Sequence, residues 1–442
     1  MPRCYVFESQ PQRPALCKGP NPAKRRRQTA GAKLALGLAL ALGLQACSEP
    51  LPMQRQTLII YVDPPDSATL NKENLRTLWD PLLKTYKRLH PGVHLNFNFV
   101  VFQDQQLKEE LRRRNSRGLG PDMLVINAST AIDLLNQGLI SRIQVPREVQ
   151  NSLQPWILSR VKVPGGLAAL PVALEPQLSC YNRARIPNPP ATLEELLQLA
   201  ASGRRIGLSI FPKSIWWTTG PLGANQALMQ RLEEPPGSHE RIYSSDQAAI
   251  TSWLRWLREA SLQNHVNFFN NDEDLLNGLG KGQLDWISCL SFNLPSLKRQ
   301  MGDNLGVASL PKGPHGLASP DSLLRVLAFG VNSSGQQRQR AMQLGLLQLN
   351  PLMQHSMTLN SEQILPVNRF APAPVASSAK LKVLVNAQEQ FQQSSLFSRS
   401  PLAINRLDNH SAELEGLLTQ VVVDVIGPEQ ASARLIEILR QP

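Results

Sequence analysis

Two adjacent indoles, Trp216 and Trp217, stand in the segment Ile215-Trp216-Trp217-Thr218-Thr219-Gly220. On a loop, such a ring offers a flat apolar face that stacks on a sugar. The alternative is core packing, and one ring in a cleft with the other in the core is the expected division. Other chemistry finds less support. His90 and His94 are four apart, but Pro91-Gly92 between them prevents a shared helix face, so a zinc pair is not expected. Ser377 and Lys380 form an isolated S-x-x-K with no K-T-G partner. Neither a G-x-S-x-G nor a phosphate-binding glycine loop occurs. The acids Glu194-Glu195 and Asp272-Glu273-Asp274 fall at capping or solvated places. No metal, cofactor or catalytic residue is therefore expected. A glycosidase would need two carboxylates facing across a cleft, and no such pair is singled out by the sequence.

The elements that position these residues follow from apolar periodicity. Thr57 to Val62 reads as a buried first strand, ending in the turn Asp63-Pro64-Pro65-Asp66. Residues 71 to 90 read as a helix with Leu75, Leu78, Leu82 and Leu83 on its apolar face, stopped by Pro91-Gly92. Val93 to Phe102 alternates as a strand, residues 105 to 114 form a charged amphipathic helix, and Asp122 to Ile126 is a third strand. This alternation predicts a doubly wound, mostly parallel α/β sheet. Ligands in such sheets sit beyond the carboxyl ends of the strands. Asp66, Asn127 and Ser129 are thereby candidate lining residues.

Leu170 to Arg183 is extended and apolar but holds Pro171 and Pro176. Proline removes a ladder donor, so two short strands with a crossing between them are expected. A Pro-rich turn follows, then a helix with Thr192 at its N-cap and Glu195 placed for a capping box. Extended crossing, turn and capped helix suit a passage between two lobes. Further on, strands are expected at 205–211, 284–289 and 327–332, and helices at 246–261, 340–354 and 428–439.

Residues 170 to 196, with Glu175, Tyr181-Asn182, Pro187-Asn188-Pro189-Pro190 and Glu194-Glu195, resemble the hinge of the maltose/maltodextrin-binding proteins. These belong to the family 1 extracellular solute-binding proteins. The resemblance continues at Val307 to Pro314 and Ile364 to Asn368, and spans about residues 57 to 440. It implies a two-lobed periplasmic-binding-protein fold (type II), with crossings near residues 172 to 180, 307 to 320 and 364 to 370. The N-terminal lobe would comprise 57–172 and 308–366, the C-terminal lobe 173–307 and 367–442. It also implies a ligand cleft between the lobes and delivery of solute to an ABC importer. Glu175 matches the hinge glutamate, and a carboxylate accepts hydrogen bonds from two hydroxyls; a hydrogen bond bracing the hinge is the plainer role. Phe292 falls where relatives carry a cleft Trp. Ile126 and Ser129 stand where maltose-binding relatives supply a Trp and an Asp, and Gly220 replaces another aromatic. These departures point to a ligand smaller than a long maltodextrin.

The 442 residues are long enough for two lobes. Residues 1 to 46 carry eight Lys/Arg against one acid, so +7 of the net charge of +12 lies there and +5 in the rest. With no basic face interleaved with aromatics, nucleic-acid binding is not expected. Lys24 to Arg27 and Lys33 precede the apolar run Leu34 to Leu44, which is too short to span a bilayer. The run ends in Leu44-Gln45-Ala46-Cys47, which resembles a lipobox, with Cys47 as the acylated N-terminus. Residues 48 to 56 form a polar tether. Cys180 and Cys289 are expected as two buried apolar thiols, although an oxidising compartment allows a disulfide. The resulting expectation is a monomeric, lipid-anchored protein of the cell envelope that captures a sugar-like solute. The alternatives are a lipoprotein of the same fold serving as an envelope interaction partner and, less favoured, a glycoside-acting enzyme.

Overall fold

A computed structural model describes residues 56–63, 72–93, 95–101, 104–234, 244–394 and 401–441. Residues 55–442 form one compact unit. β1 (Gln56–Val62), α1 (Lys72–Leu89), β2 (Leu95–Val101), α2 (Asp104–Asn115) and β3 (Met123–Asn127) make the expected alternation, with β1 parallel to both β2 and β3. α3 (Ala128–Asn136), β4 (Ile140–Ser141), α4 (Arg147–Ser152) and α5 (Pro155–Ser159) follow, then the antiparallel pair β5 (Lys162–Val163) and β6 (Gly166–Leu167). They lead into β7 (Leu170–Asn182).

After β7 the alternation resumes. It runs α6 (Leu193–Ala201), β8 (Ile206–Ser209), α7 (Pro212–Ile215), α8 (Asn225–Glu233), α9 (Ser244–Ser261), β9 (Val266–Phe269), α10 (Asp272–Gly280) and β10 (Trp286–Leu290). β8 is parallel to both β9 and β10. α11 (Leu294–Met301), β11 (Leu305–Ala308) and β12 (Ser322–Gly330) return the chain to the first strand group. The helices α12 (Gly335–Gln348), α13 (Pro351–Ser361), α14 (Ala379–Ser394), α15 (Pro401–Asn409), α16 (Ser411–Val422) and α17 (Pro428–Arg440) complete the chain.

The strand order is β2-β1-β3-β12-β7-β10-β8-β9. Each end is a parallel trio, and the antiparallel strands β12 and β7 stand between them. β7 serves both groups. Its residues 170–176 pair with β12, and 177–182 pair with β10 and β11. The ladder is therefore continuous through one thirteen-residue strand, not two short strands with a crossing. The prolines are accommodated rather than disruptive. Pro171 adjoins a register shift that leaves Val172 without an opposite residue, as in a bulge. Pro176 is the last residue paired with β12, where a missing donor costs least.

Two cores flank this arrangement. Leu58, Ile60, Leu124, Ile126, Leu327 and Phe329 belong to one; Leu208, Trp253, Trp286, Leu417 and Leu435 belong to the other. Burying each such side chain contributes about 1.5–3 kcal/mol. The N-cap of α6 forms as expected, Thr192 Oγ1 accepting from the Glu195 N–H at 3.1 Å. Glu195 reaches one residue further back, to the Ala191 N–H at 2.6 Å.

Three further expectations need correction. β12 begins five residues before the expected strand start at 327, because the apolar run extends back through Leu323-Leu324 on either side of one arginine. The helix expected over 340–354 is two helices, broken where Asn350 caps α13 by accepting from the Leu352 N–H. Cys180 and Cys289 are joined in a disulfide, with Cα atoms 5.9 Å apart. They lie diagonally across the β7–β10 ladder, since Cys180 faces Ile287 and Cys289 faces Leu178. That spacing lies within the reach of a disulfide.

Candidate functional site

Strand register assembles a polar cluster where β7 changes partners. Glu175 faces Leu323 of β12, and Arg325 lies two residues on, so both side chains project to the same sheet face. Asn127, the last residue of β3, faces Arg325 from the other side. Arg325 Nε donates to Glu175 Oε2 at 3.0 Å, and Nη1 donates to the Asp63 carbonyl at 2.9 Å. The guanidinium lies 5.7 Å from the centroid of the Phe292 ring, in the short turn after β10. Glu175 is 3 % exposed and Arg325 5 %.

Burial pushes the Glu175 carboxyl above its ordinary range, and the Arg325 charge and hydrogen bond only partly offset this. A buried ion pair often recovers less from mutual attraction than desolvation takes away. The pair sits here because β12 carries one charge inside an apolar run, Leu323-Leu324-Arg325-Val326-Leu327. Such a charge must find an opposite partner or stay outside.

A second polar group lies at α15. Asp408 pairs with Lys213 of α7, and the Ser129 hydroxyl of α3 hydrogen-bonds to the same carboxylate. Burial pushes the Asp408 carboxyl up; Lys213 opposes this. At the other flank, Arg160 Nη1 donates to the Ser322 carbonyl at 2.9 Å and its guanidinium faces the Phe391 ring. Burial lowers its pKa to about 10.

The sequence candidates thus divide. Glu175, Asn127 and Phe292 converge on Arg325, and Ser129 takes part in the Asp408 contact. Trp216 and Trp217 do not join them. Trp216 is 3 % exposed and Trp217 fully buried, both in the second core. Trp216 Nε1 donates to Asn225 Oδ1 at 3.0 Å, and its ring lines a small apolar space with Leu228, Trp253 and Leu414. Trp217 packs on Trp286 with ring centroids 5.9 Å apart. Both rings therefore pack in the core, and neither presents a stacking face here. At Gly220 a side chain would collide with the Ser319 hydroxyl and the Leu317 carbonyl, so the missing aromatic has its place filled by the 317–319 segment. Asp66 and Cys47 lie outside the described residues.

Arg325 was not among the sequence candidates. Its signal was present as the lone charge in a buried strand, but no periodicity says which partner such a charge meets. Among the described residues no group of three or more His, Cys, Asp or Glu could hold a metal ion, and no helix is long and apolar enough to cross a membrane.

No family model matches the chain. Curated relatives from Brucella abortus and Brucella suis, named as binding proteins, are 24% identical over 268 residues. The match covers 54% of this chain and 60% of theirs. Solved structures are similar over most of the chain. The GacH receptor of Streptomyces glaucescens, solved unliganded and with acarbose, gives a TM-score of 0.67 at 14% identity, covering 86% of this chain and 97% of its own. A cyclo/maltodextrin-binding protein complexed with maltotetraose gives 0.62 at 16% identity, covering 89% and 97%. An ABC-transporter solute-binding protein from Thermotoga lettingae, bound with α-D-tagatose, gives 0.62 at 14% identity, covering 87% and 100%. At these identities the likeness is one of fold. The chain accordingly has the two-lobed α/β fold of the ABC-transporter solute-binding proteins and resembles their maltodextrin-binding members.

Proposed function

We propose that this chain is a lipid-anchored, extracytoplasmic solute-binding protein. It captures a small, neutral, hydroxyl-rich solute, a sugar or glycoside, between two lobes and delivers it to the permease subunits of an ABC importer. The lobes are residues 57–172 with 308–366, and 173–307 with 367–442; the anchor is acylated Cys47, and the protein acts as a monomer. The observation that carries this reading is the polar cluster of Glu175, Arg325, Asn127 and Phe292, placed where the shared strand β7 passes from one strand group to the other. Fold relatives solved with acarbose, maltotetraose and tagatose support a hydroxyl-rich ligand. The Cys180–Cys289 disulfide supports an oxidising compartment. A second reading, an envelope lipoprotein that binds a protein partner, draws on one observation: Glu175 is already engaged by Arg325.

A thermal-shift screen of the purified chain against sugars and polyols tests the proposal. Binding to the folded state raises apparent stability by mass action. The expected outcome is a saturable rise in melting temperature with at least one neutral sugar. No shift with any of them favours the protein-partner reading.

A further inference from the structure

We infer that Arg325, together with Asn127, selects the ligand of the cleft, and that the group they anchor is a neutral hydroxyl. This rests on the solute-binding reading above. Arg325 is held on three sides. Glu175 takes Nε, the Asp63 carbonyl takes Nη1, and the Phe292 ring faces the guanidinium. The remaining nitrogen, Nη2, is buried and meets no protein acceptor. Asn127 is the register partner of Arg325 on β3, and its amide oxygen is likewise buried with no protein donor. Asn at a helix N-cap ordinarily accepts a hydrogen bond from the first turn. Asn127 precedes α3 in extended conformation and makes no such bond.

A buried donor and a buried acceptor, one strand apart and not satisfying each other, are costly unless a third group fits both. A hydroxyl does so. Its oxygen accepts from Nη2 and its hydrogen donates to Asn127 Oδ1. A carboxylate has no hydrogen for Asn127, and it would meet the carboxylate of Glu175, which already holds Arg325 Nε. An ammonium would satisfy Asn127 but face the guanidinium. Glu175 is then a positioning residue. By fixing Nε it aims Nη2, and its own charge is spent inside the protein.

The test is isothermal titration of the full chain and two variants with maltose, maltotetraose, D-tagatose, D-glucose and the anion D-glucuronate. Arg325→Lys keeps a cation for Glu175 and removes Nη2. Asn127→Asp supplies an internal carboxylate that takes the place of the hydroxyl. Either variant that melts cooperatively decides the matter. The expected result is that a neutral probe binds the wild-type chain, that its affinity falls at least tenfold in both variants, and that D-glucuronate binds more weakly than D-glucose. Affinity retained within twofold in a folded variant, or tighter binding of D-glucuronate, overturns this assignment while leaving the solute-binding reading intact. Binding of none of the probes to the wild-type chain overturns both.

Discussion

Glu175 and Arg325 form a buried ion pair where β7 changes partners, and their balance can be read from pH. Burial raises the Glu175 pKa in the folded chain. An unfolded glutamate titrates near about 4.3. A raised folded value means that the protonated form is favoured by folding, so the associated stability is full below the unfolded value and is lost as pH rises through the folded one. Denaturant midpoints of the wild-type chain and Glu175→Gln between mildly acidic and mildly basic pH isolate this group. The wild type is expected to lose stability relative to the variant as pH rises; a gap moving the other way would show that the Arg325 attraction outweighs burial. At this scale the sequence was half legible. Glu175 stood in a hinge-like segment, Asn127 at a strand end, and Phe292 where the resembled family carries a cleft Trp. The partner Arg325 stood 150 residues from Glu175, and only strand register brings the two together. The tryptophans show the opposite failure. Adjacent indoles after a strand suit either a cleft or a core, and what decides between them is a set of distant helices, α9, α16 and α17, whose packing no local pattern reveals.

β7 is the element that joins the two strand groups. Its prolines read locally as breaks, yet the strand runs through both because each falls where a ladder donor is dispensable. The first half belongs to β12 and the second to β10 and β11, so a change of angle between the strand groups would bend β7 near Pro176. The Cys180–Cys289 disulfide fastens the second half to β10 and closes a span of 109 residues. A cross-link over a loop of this length restricts the unfolded chain and stabilises the folded one by about 2–5 kcal/mol. The double variant Cys180→Ala/Cys289→Ala is expected to melt earlier by that amount in chemical denaturation, and reductant should lower the midpoint of the wild type but not of the variant. Equal midpoints would mean that the pair contributes nothing to stability. The parallel trio of β1, β2 and β3 was legible from the strand–helix alternation, whereas β9 in the other trio was not anticipated. The partner switch was not, because a strand's neighbours are set by contacts far along the chain.

For the whole molecule, the proposal is a two-lobed solute receptor anchored at a membrane surface. Cys47→Ser is expected to abolish labelling by a fatty-acid probe and to release the chain into the soluble fraction; unchanged partitioning of the variant would remove the lipid anchor from the account. Overall architecture was the most legible level, because the hinge residues 170–196 and the alternating elements pointed to one answer. Ligand identity was the least, since it rests on which side chains face the cleft. The most direct measurement is a crystal structure of the chain with the tightest-binding neutral sugar from the titration panel. Density is expected for one sugar between the strand groups, with a hydroxyl within hydrogen-bonding distance of both Arg325 Nη2 and Asn127 Oδ1. A sugar bound elsewhere, or a cleft that stays closed and unchanged at saturating sugar, would contradict the proposal.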